Sequence, residues 1–165
     1  MSRRWGRWLS RCSYPISNHS SARAQSPRPT WHQARATAGT WGYTKTGTIY
    51  LPTGAALFAS IGTLTFDAAG NVTGTLEASL GGTIGNGEVA GTFTMNSNCS
   101  GTMAFGVYDQ SGNLLRTVTM ALVLDDKARE LRGLMTSLVL PNGMSLPTVI
   151  TGNARRLFPN QGNQQ

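Results

Sequence analysis

Residues 62–80 read GTLTFDAAGNVTGTLEASL, and this stretch decides the fold class. After the central turn, Val72, Leu76 and Leu80 share one face of an extended chain, while Thr73 and Glu77 share the other. A period of two in a segment rich in Thr, Val and Leu is typical of half-buried β-strands. The stretch therefore predicts a β-hairpin with one face toward a core.

The turn Asp67-Ala-Ala-Gly70-Asn71 recurs as Asp109-Gln-Ser-Gly112-Asn113. Asp caps such a turn through its side chain, and Gly supplies the positive φ that closes a hairpin. With further Gly, Asn and Pro turns, the pattern predicts eight strands joined by short loops. They lie near residues 40–51, 56–67, 71–80, 87–95, 100–108, 113–124, 128–140 and 146–157.

Short loops make consecutive strands antiparallel neighbours, and an eight-strand meander removes its exposed edges by closing. We therefore expect an all-β domain over residues 39–158, an eight-stranded antiparallel up-and-down β-barrel. A β-sandwich is the alternative, although it ordinarily needs longer Greek-key connections. Glycines within the predicted strands lie where curvature is needed: Gly47, Gly62, Gly74, Gly91, Gly101, Gly106, Gly133 and Gly152.

The net charge of +7 lies entirely in the N-terminal segment, because residues 1–38 hold seven arginines and no acid. The rest of the chain balances seven basic against seven acidic residues, so the composition predicts no nucleic-acid partner for the folded domain. Residues 1–38 and 159–165 lack strand or helix periodicity and are expected to be disordered tails. The longest apolar runs have five residues, so no transmembrane segment is predicted.

Three interpretations of the basic tail stay open. Its interleaved Arg and Trp suit a nucleic-acid arm. Ala22-Arg23-Ala24 resembles a signal-peptidase site, which suggests the remnant of a targeting region, but no intact signal peptide precedes it. The third interpretation is a misassigned start codon.

Several motifs of the body resemble an uncharacterised family of bacterial exported β-barrel proteins, similar in architecture to the allene oxide cyclase and dirigent barrels within the calycin-like forms. The resemblance implies a closed barrel and a periplasmic or extracellular location. No active-site residue of the plant cyclase has a matching position here. The motifs are GTWGY (39–43), LTFDAAGN (64–71), GTFTMN (91–96), NCSGT (98–102) and TSLVLPNG (136–143).

Most familiar chemistry is excluded from residues 39–158. This part of the sequence has no histidine and one cysteine, so it offers no Ser-His-Asp triad, no Cys-His pair and no zinc ligand set. Glu77 and Glu88 fall on polar strand faces, so we do not interpret them as a catalytic pair of carboxylates. Each Asp turn offers a single carboxylate, whereas calcium needs about six oxygen ligands. We predict no catalytic residue, metal or cofactor. Cys99 is interpreted as a nucleophile, a disulfide partner or, as we favour, a small buried apolar residue.

Four polar residues alternate with apolar ones and are the candidate ligand-binding residues: Tyr43, Lys45, Arg116 and Arg155. If their faces point inward, the cations hold an acidic group of a ligand; otherwise each extends to water near a strand end. The sequence thus predicts a barrel that binds a small apolar or amphipathic molecule. The alternatives are a packed barrel that acts through its outer surface and, by fold analogy only, an isomerase of the allene oxide cyclase kind.

Overall fold

The predicted strands form one closed barrel in which each strand pairs with its neighbours in the chain and β1 pairs with β8. The structure, a computed structural model, describes residues 36–125 and 128–157. The prediction of an all-β up-and-down barrel is confirmed, and closure excludes the sandwich. The strands are β1 (Gly39–Leu51), β2 (Gly54–Phe66), β3 (Asn71–Leu80), β4 (Thr83–Met95), β5 (Ser100–Tyr108), β6 (Leu114–Asp125), β7 (Glu130–Val139) and β8 (Thr148–Arg156).

The two ends of the barrel differ in composition. At the Trp41 end, β1 begins and β8 finishes; at the opposite end, named here the Arg116 end, β6 begins. Trp41 and Phe66 contact edge to face with centroids 6.3 Å apart, and Phe66 contacts Phe93 in the same way at 4.8 Å. These aromatic contacts add to the burial of large apolar rings. The Trp41 end is therefore a filled apolar core.

Both Asp turns have the same hydrogen bonds, as the repeated sequence predicts. Asp67 Oδ1 accepts from the backbone N–H groups of Ala69 and Asn71, and the Asn71 amide donates to Asp67 Oδ2 at 2.7 Å. Asp109 repeats this arrangement with residues 111 and 113. These bonds lower the pKa of both carboxyl groups.

Glycine permits a close approach of β2 and β3. A Cβ at Gly62 would collide with the carbonyl oxygen of Thr75, and a Cβ at Gly74 with that of Thr63. The two strands are paired so that Leu76 faces Gly62 and Leu64 faces Gly74. The predicted role of these glycines in curvature therefore has a steric basis at this pair.

Residues 36–38 were assigned to the disordered tail, and the structure corrects this boundary. Thr37 is fully buried, and its carbonyl accepts a hydrogen bond from Trp41 Nε1 at 2.9 Å. The Arg156 guanidinium donates to the carbonyls of Ala36 and Ala38 at 2.6 and 2.7 Å. It also lies 4.9 Å from the Trp41 ring. The predictions for residues 1–35 and 159–165 lie outside the described residues.

Replacing Arg156 by methionine is expected to lower the free energy of unfolding by about 2 kcal/mol. The change removes two charge-assisted hydrogen bonds and a cation–π contact. Chemical denaturation measures the effect, and Arg155→Met is the matched control. The Arg155 side chain is 81% exposed and pairs with Glu130 at 3.8 Å, so its loss should change stability by less than about 0.5 kcal/mol. Equal effects of the two substitutions would contradict this account of Arg156.

Replacing Gly112 by valine is expected to destabilise the fold by more than about 1 kcal/mol, because this residue has φ of +82°. No atom lies within 4 Å of an added Cβ, so the cost comes from the backbone alone. Gly85→Val is the control, since Gly85 has the same open surroundings without the positive φ. Thermal unfolding of both variants makes the comparison. A Gly112 variant as stable as the control would refute the prediction.

Candidate functional site

Three of the four candidate residues face the barrel interior. Tyr43 and Lys45 lie on the inward face of β1, 5% and 7% exposed, and Arg116 lies half-buried on the inward face of β6. Arg155 does not join them. Its strand turns Ile150 and Ala154 inward, so Arg155 faces outward and pairs with Glu130. The inward placement considered for Arg155 is therefore wrong.

Lys45 extends across an apolar interior, and none of the acidic residues that the structure describes pairs with it. Its ammonium nitrogen lies 4.6 Å from the centroid of the Tyr43 ring and 5.0 Å from that of Phe105, on β5. Cation–π contacts of this kind partly compensate the loss of water. The absence of a side chain at Gly152, which pairs with Lys45 on β8, leaves room for the stem of the lysine. A Cβ at Gly152 would lie 2.5 Å from Lys45 Cγ.

Ser60 is a polar neighbour that sequence reasoning missed. It lies directly opposite Lys45 in the pairing of β1 with β2 and is 7% exposed. Its Oγ is buried and makes no hydrogen bond of normal geometry among the described residues. The sequence could have indicated an inward Ser60 only through the alternation of β2, which places Ser60 on the same face as Leu64 and Phe66. A buried hydroxyl without a partner is costly and points to a bound polar group.

The interior changes the ionisation of each polar residue. Burial, and then the Arg116 charge, lower the pKa of Lys45 to about 8. Burial raises the pKa of Tyr43 to about 12, with Ser60 and Arg116 acting in the opposite direction. Burial also lowers the pKa of Arg116, against the favourable effect of Tyr43. Tyr43 is thus a neutral donor at physiological pH, and its hydroxyl donates to the Thr75 carbonyl at 3.4 Å.

No carboxylate of the described residues faces this site. The acids there lie in turns, at strand ends or on the outer face: Asp67, Glu77, Glu88, Asp109, Asp125 and Glu130. Glu130, for example, pairs outside the barrel with Arg132 at 3.4 Å. Two inward cations therefore share the apolar interior with no anion from this part of the chain. Such an arrangement is costly unless an anion from elsewhere compensates it.

A cavity of about 20 Å³ lies beside Tyr43 and Lys45, enough space for about one water molecule. Met103 and Met120 line it together with Leu122 and Gly133. Methionine is unbranched and adapts its shape readily. The wall of the cavity is thus formed by side chains that can rearrange around a larger occupant.

Three further features concern Cys99, clusters of metal-ligating side chains and membrane-spanning helices. Cys99 is 5% exposed and lies in the apolar core, as the favoured interpretation expects, and it is also engaged in a disulfide, which was the alternative interpretation. Within residues 36–125 and 128–157, no three His, Cys, Asp or Glu side chains cluster as metal ligands. In the same ranges, none of the helical residues forms a segment of the length and apolarity that crossing a bilayer requires.

Comparison with known proteins identifies no relative from which the role of this site could be inferred. The chain matches no known protein-family model and no curated protein at a significant level. The resemblance noted from the sequence motifs therefore stays a prediction. The interior site has to be interpreted from its own chemistry.

Stability should depend on pH through Lys45. Below pH 8 the lysine carries its proton in both states and the folded state bears the full cost of burying the charge. From pH 8 to about 10 the folded protein releases this proton while the unfolded chain keeps it, so stability rises with pH. The free energy of unfolding of the native chain, relative to Lys45→Met, should increase by about 2 kcal/mol over this range.

Urea titrations of both chains at several pH values measure this difference. Tyr43 titrates in the unfolded chain only above about pH 10 and is present in both proteins, so it cancels. A difference that stays constant from pH 7 to 10 would contradict the placement of Lys45 in the interior.

Proposed function

We propose that the protein binds a small amphipathic molecule in the barrel interior, with the acidic head group of the ligand held by Lys45 and Arg116. The observation that carries the proposal is the pair of inward cations without a carboxylate among the described residues. An anionic head group would supply the missing charge and accept hydrogen bonds from Ser60 and Tyr43. A carboxylate in such a site forms charge-assisted bonds to both cations.

The apolar part of the ligand would occupy the region around Met103 and Met120. The cavity has room for one water molecule in the structure, so binding requires that these side chains move aside. Arg116, three residues into β6, is the less buried of the two cations and lies toward the Arg116 end. The ligand therefore enters the barrel from the Arg116 end, and its head group stays nearest to that end. Entry from the Trp41 end would disrupt the edge-to-face contacts among the rings of Trp41, Phe66 and Phe93.

Decanoate and decanol test the proposal as a matched pair, because they share a chain and differ in charge. Native mass spectrometry of the full-length protein should detect a one-to-one decanoate complex and much less decanol complex. Lys45→Met and Arg116→Met should each weaken decanoate binding at least about tenfold, the loss expected for one charged contact. Arg155→Met, on the outer face, should bind as the native chain does.

A native chain that binds neither compound, or variants that bind as well as the native chain, would overturn the proposal. Protein purified from its source without denaturation provides a second test. An added mass that organic extraction removes would identify the natural ligand class. A clean apo mass would favour the alternative function.

The alternative is a packed barrel that acts through its outer surface. Filled inward faces were its distinguishing expectation, and these side chains are all 7% exposed or less: Phe58, Phe66, Phe93, Phe105, Met103 and Leu122. On the outer face, Leu57 and Val149 flank Thr48 in one cross-strand row and are 77% and 61% exposed. Beside Leu57, residues of β1, β2 and the turn after β3 line an open hollow of about 870 Å³. If the interior binds no ligand, the exposed apolar row and the hollow beside it favour binding of a partner molecule at this outer face.

The proposal includes export to the periplasm or the cell exterior, as the family resemblance implies. The disulfide at Cys99 supports it, because disulfides persist mainly in oxidising compartments. An isomerase activity of the allene oxide cyclase kind stays a prediction from fold analogy alone.

A further inference from the structure

Lys45 has the surroundings of a nucleophilic amine. Its ammonium group forms no hydrogen bond or ion pair within the described residues and contacts the faces of two rings, at 4.6 and 5.0 Å. Enzymes activate lysine for attack on carbonyl groups by removing it from water and placing it near a second cation. Arg116 is that second cation here, because it pairs with Val107, the next inward residue of β5 after Phe105, whose ring lies 5.0 Å from the Lys45 nitrogen.

Two hydroxyl groups accompany the amine. Ser60, opposite Lys45 on β2, lies close enough to the Tyr43 hydroxyl to lower the pKa of Tyr43, and its Oγ makes no hydrogen bond of normal geometry among the described residues. Tyr43 is held neutral by burial and keeps a proton that it can donate. Donors next to an amine stabilise the oxygen of a carbonyl group as negative charge develops on it. Of these groups, Tyr43 and Lys45 line the cavity, so such an oxygen would lie there beside Tyr43, with Ser60 behind the cavity wall.

Arg116 adds a preference for charge. A guanidinium remains protonated and is a poor nucleophile, but it binds a carboxylate through two parallel hydrogen bonds. Lys45 and Arg116 therefore suit a molecule that carries a carbonyl group and a carboxylate close together.

We propose that Lys45 forms a reversible imine with a small oxo acid whose carboxylate is bound by Arg116. The inference rests on the proposed function, because it uses the same interior site and names the ligand class more closely. The neutral Nζ attacks the carbonyl carbon and forms a C–N bond, while the carbonyl electron pair moves to oxygen, which takes a proton from Ser60 or Tyr43. The nitrogen, now cationic, returns a proton to that hydroxyl and gives its second proton to the departing oxygen. Loss of water then forms the C=N bond, so amine and carbonyl give imine and water without any oxidant.

The sequence makes the test unusually clean, since the chain has two lysines, Lys45 and Lys127. The full-length protein is incubated with glyoxylate and cyanoborohydride, whose hydride reduces an imine to a stable carboxymethyl amine. Peptide mass spectrometry then measures the modification of each lysine and of the terminal amine. Lys45 should be modified several-fold faster than Lys127.

The pH profile distinguishes an activated lysine from an accessible one. The rate at Lys45 should rise with pH and level off near pH 8, where its amine becomes neutral. An ordinary lysine continues to gain reactivity up to about pH 10. Two groups face Lys45: Arg116 acts on it through its charge, and Tyr43 contacts it through its ring and, with a pKa of about 12, keeps its proton over this range.

Variants complete the experiment. Lys45→Arg keeps the charge and removes the primary amine, so the interior label should disappear, whereas Lys127→Arg should leave it unchanged. Arg116→Met should slow labelling by glyoxylate several-fold more than labelling by acetaldehyde, because acetaldehyde lacks the carboxylate and is affected only through the lost activating charge on Lys45. This second comparison, made on one variant, does not depend on the stability of that variant.

Modification confined to Lys127 or the terminal amine, with Lys45 unmodified, would overturn the imine proposal. Failure of the two proposals can be told apart. Decanoate binding that depends on Lys45, without glyoxylate labelling, would refute the imine and keep the ligand-binding function. Labelling of Lys45 without decanoate binding would refute the amphipathic ligand and keep the amine chemistry.

Discussion

The pairing of β1 with β8 is the constraint on which the rest of the structure depends. It joins the first and last strands, removes both sheet edges and fixes which residues of every strand face inward. The same pairing places Gly152 beside Lys45 and Arg156 beside Trp41. One glycine therefore gives space to the stem of an interior lysine, and one arginine fixes residues 36–38 against the Trp41 end.

The barrel interior has two parts with different physical roles. Toward the Trp41 end, aromatic rings in edge-to-face contact fill the space and supply apolar burial. Around Lys45 the same barrel encloses two inward cations and the Ser60 hydroxyl, which makes no hydrogen bond of normal geometry among the described residues; this arrangement costs stability unless something compensates it. Proteins commonly retain such costs at sites that do chemistry or bind a ligand. This contrast is the physical basis of both proposals for the interior.

Sequence reasoning was accurate where local chemistry decides the outcome. The two Asp turns have identical hydrogen bonds because their five residues carry the same capping groups. The alternation in β3 placed Val72 and Leu76 on one face, and this face is the one turned toward the core. It was less accurate at strand ends: β2 and β4 begin at Gly54 and Thr83, before their predicted starts, because pairing with a neighbour extends a strand beyond its own alternation.

The sequence by itself determined the fold class and favoured the closure of the barrel, because these follow from a period of two, short loops and turn residues. It left open whether Tyr43 and Lys45 face the interior or extend to water, and the structure decided that both face inward. Tertiary structure alone decided that Arg155 faces outward while Arg116 faces inward, since the apolar residues near Arg155 lie on the exposed face of β8. It also revealed Ser60 as the partner of Lys45 and Arg156 as a clamp on residues 36–38. These depend on register and closure, which bring together residues far apart in the chain and which no local pattern encodes.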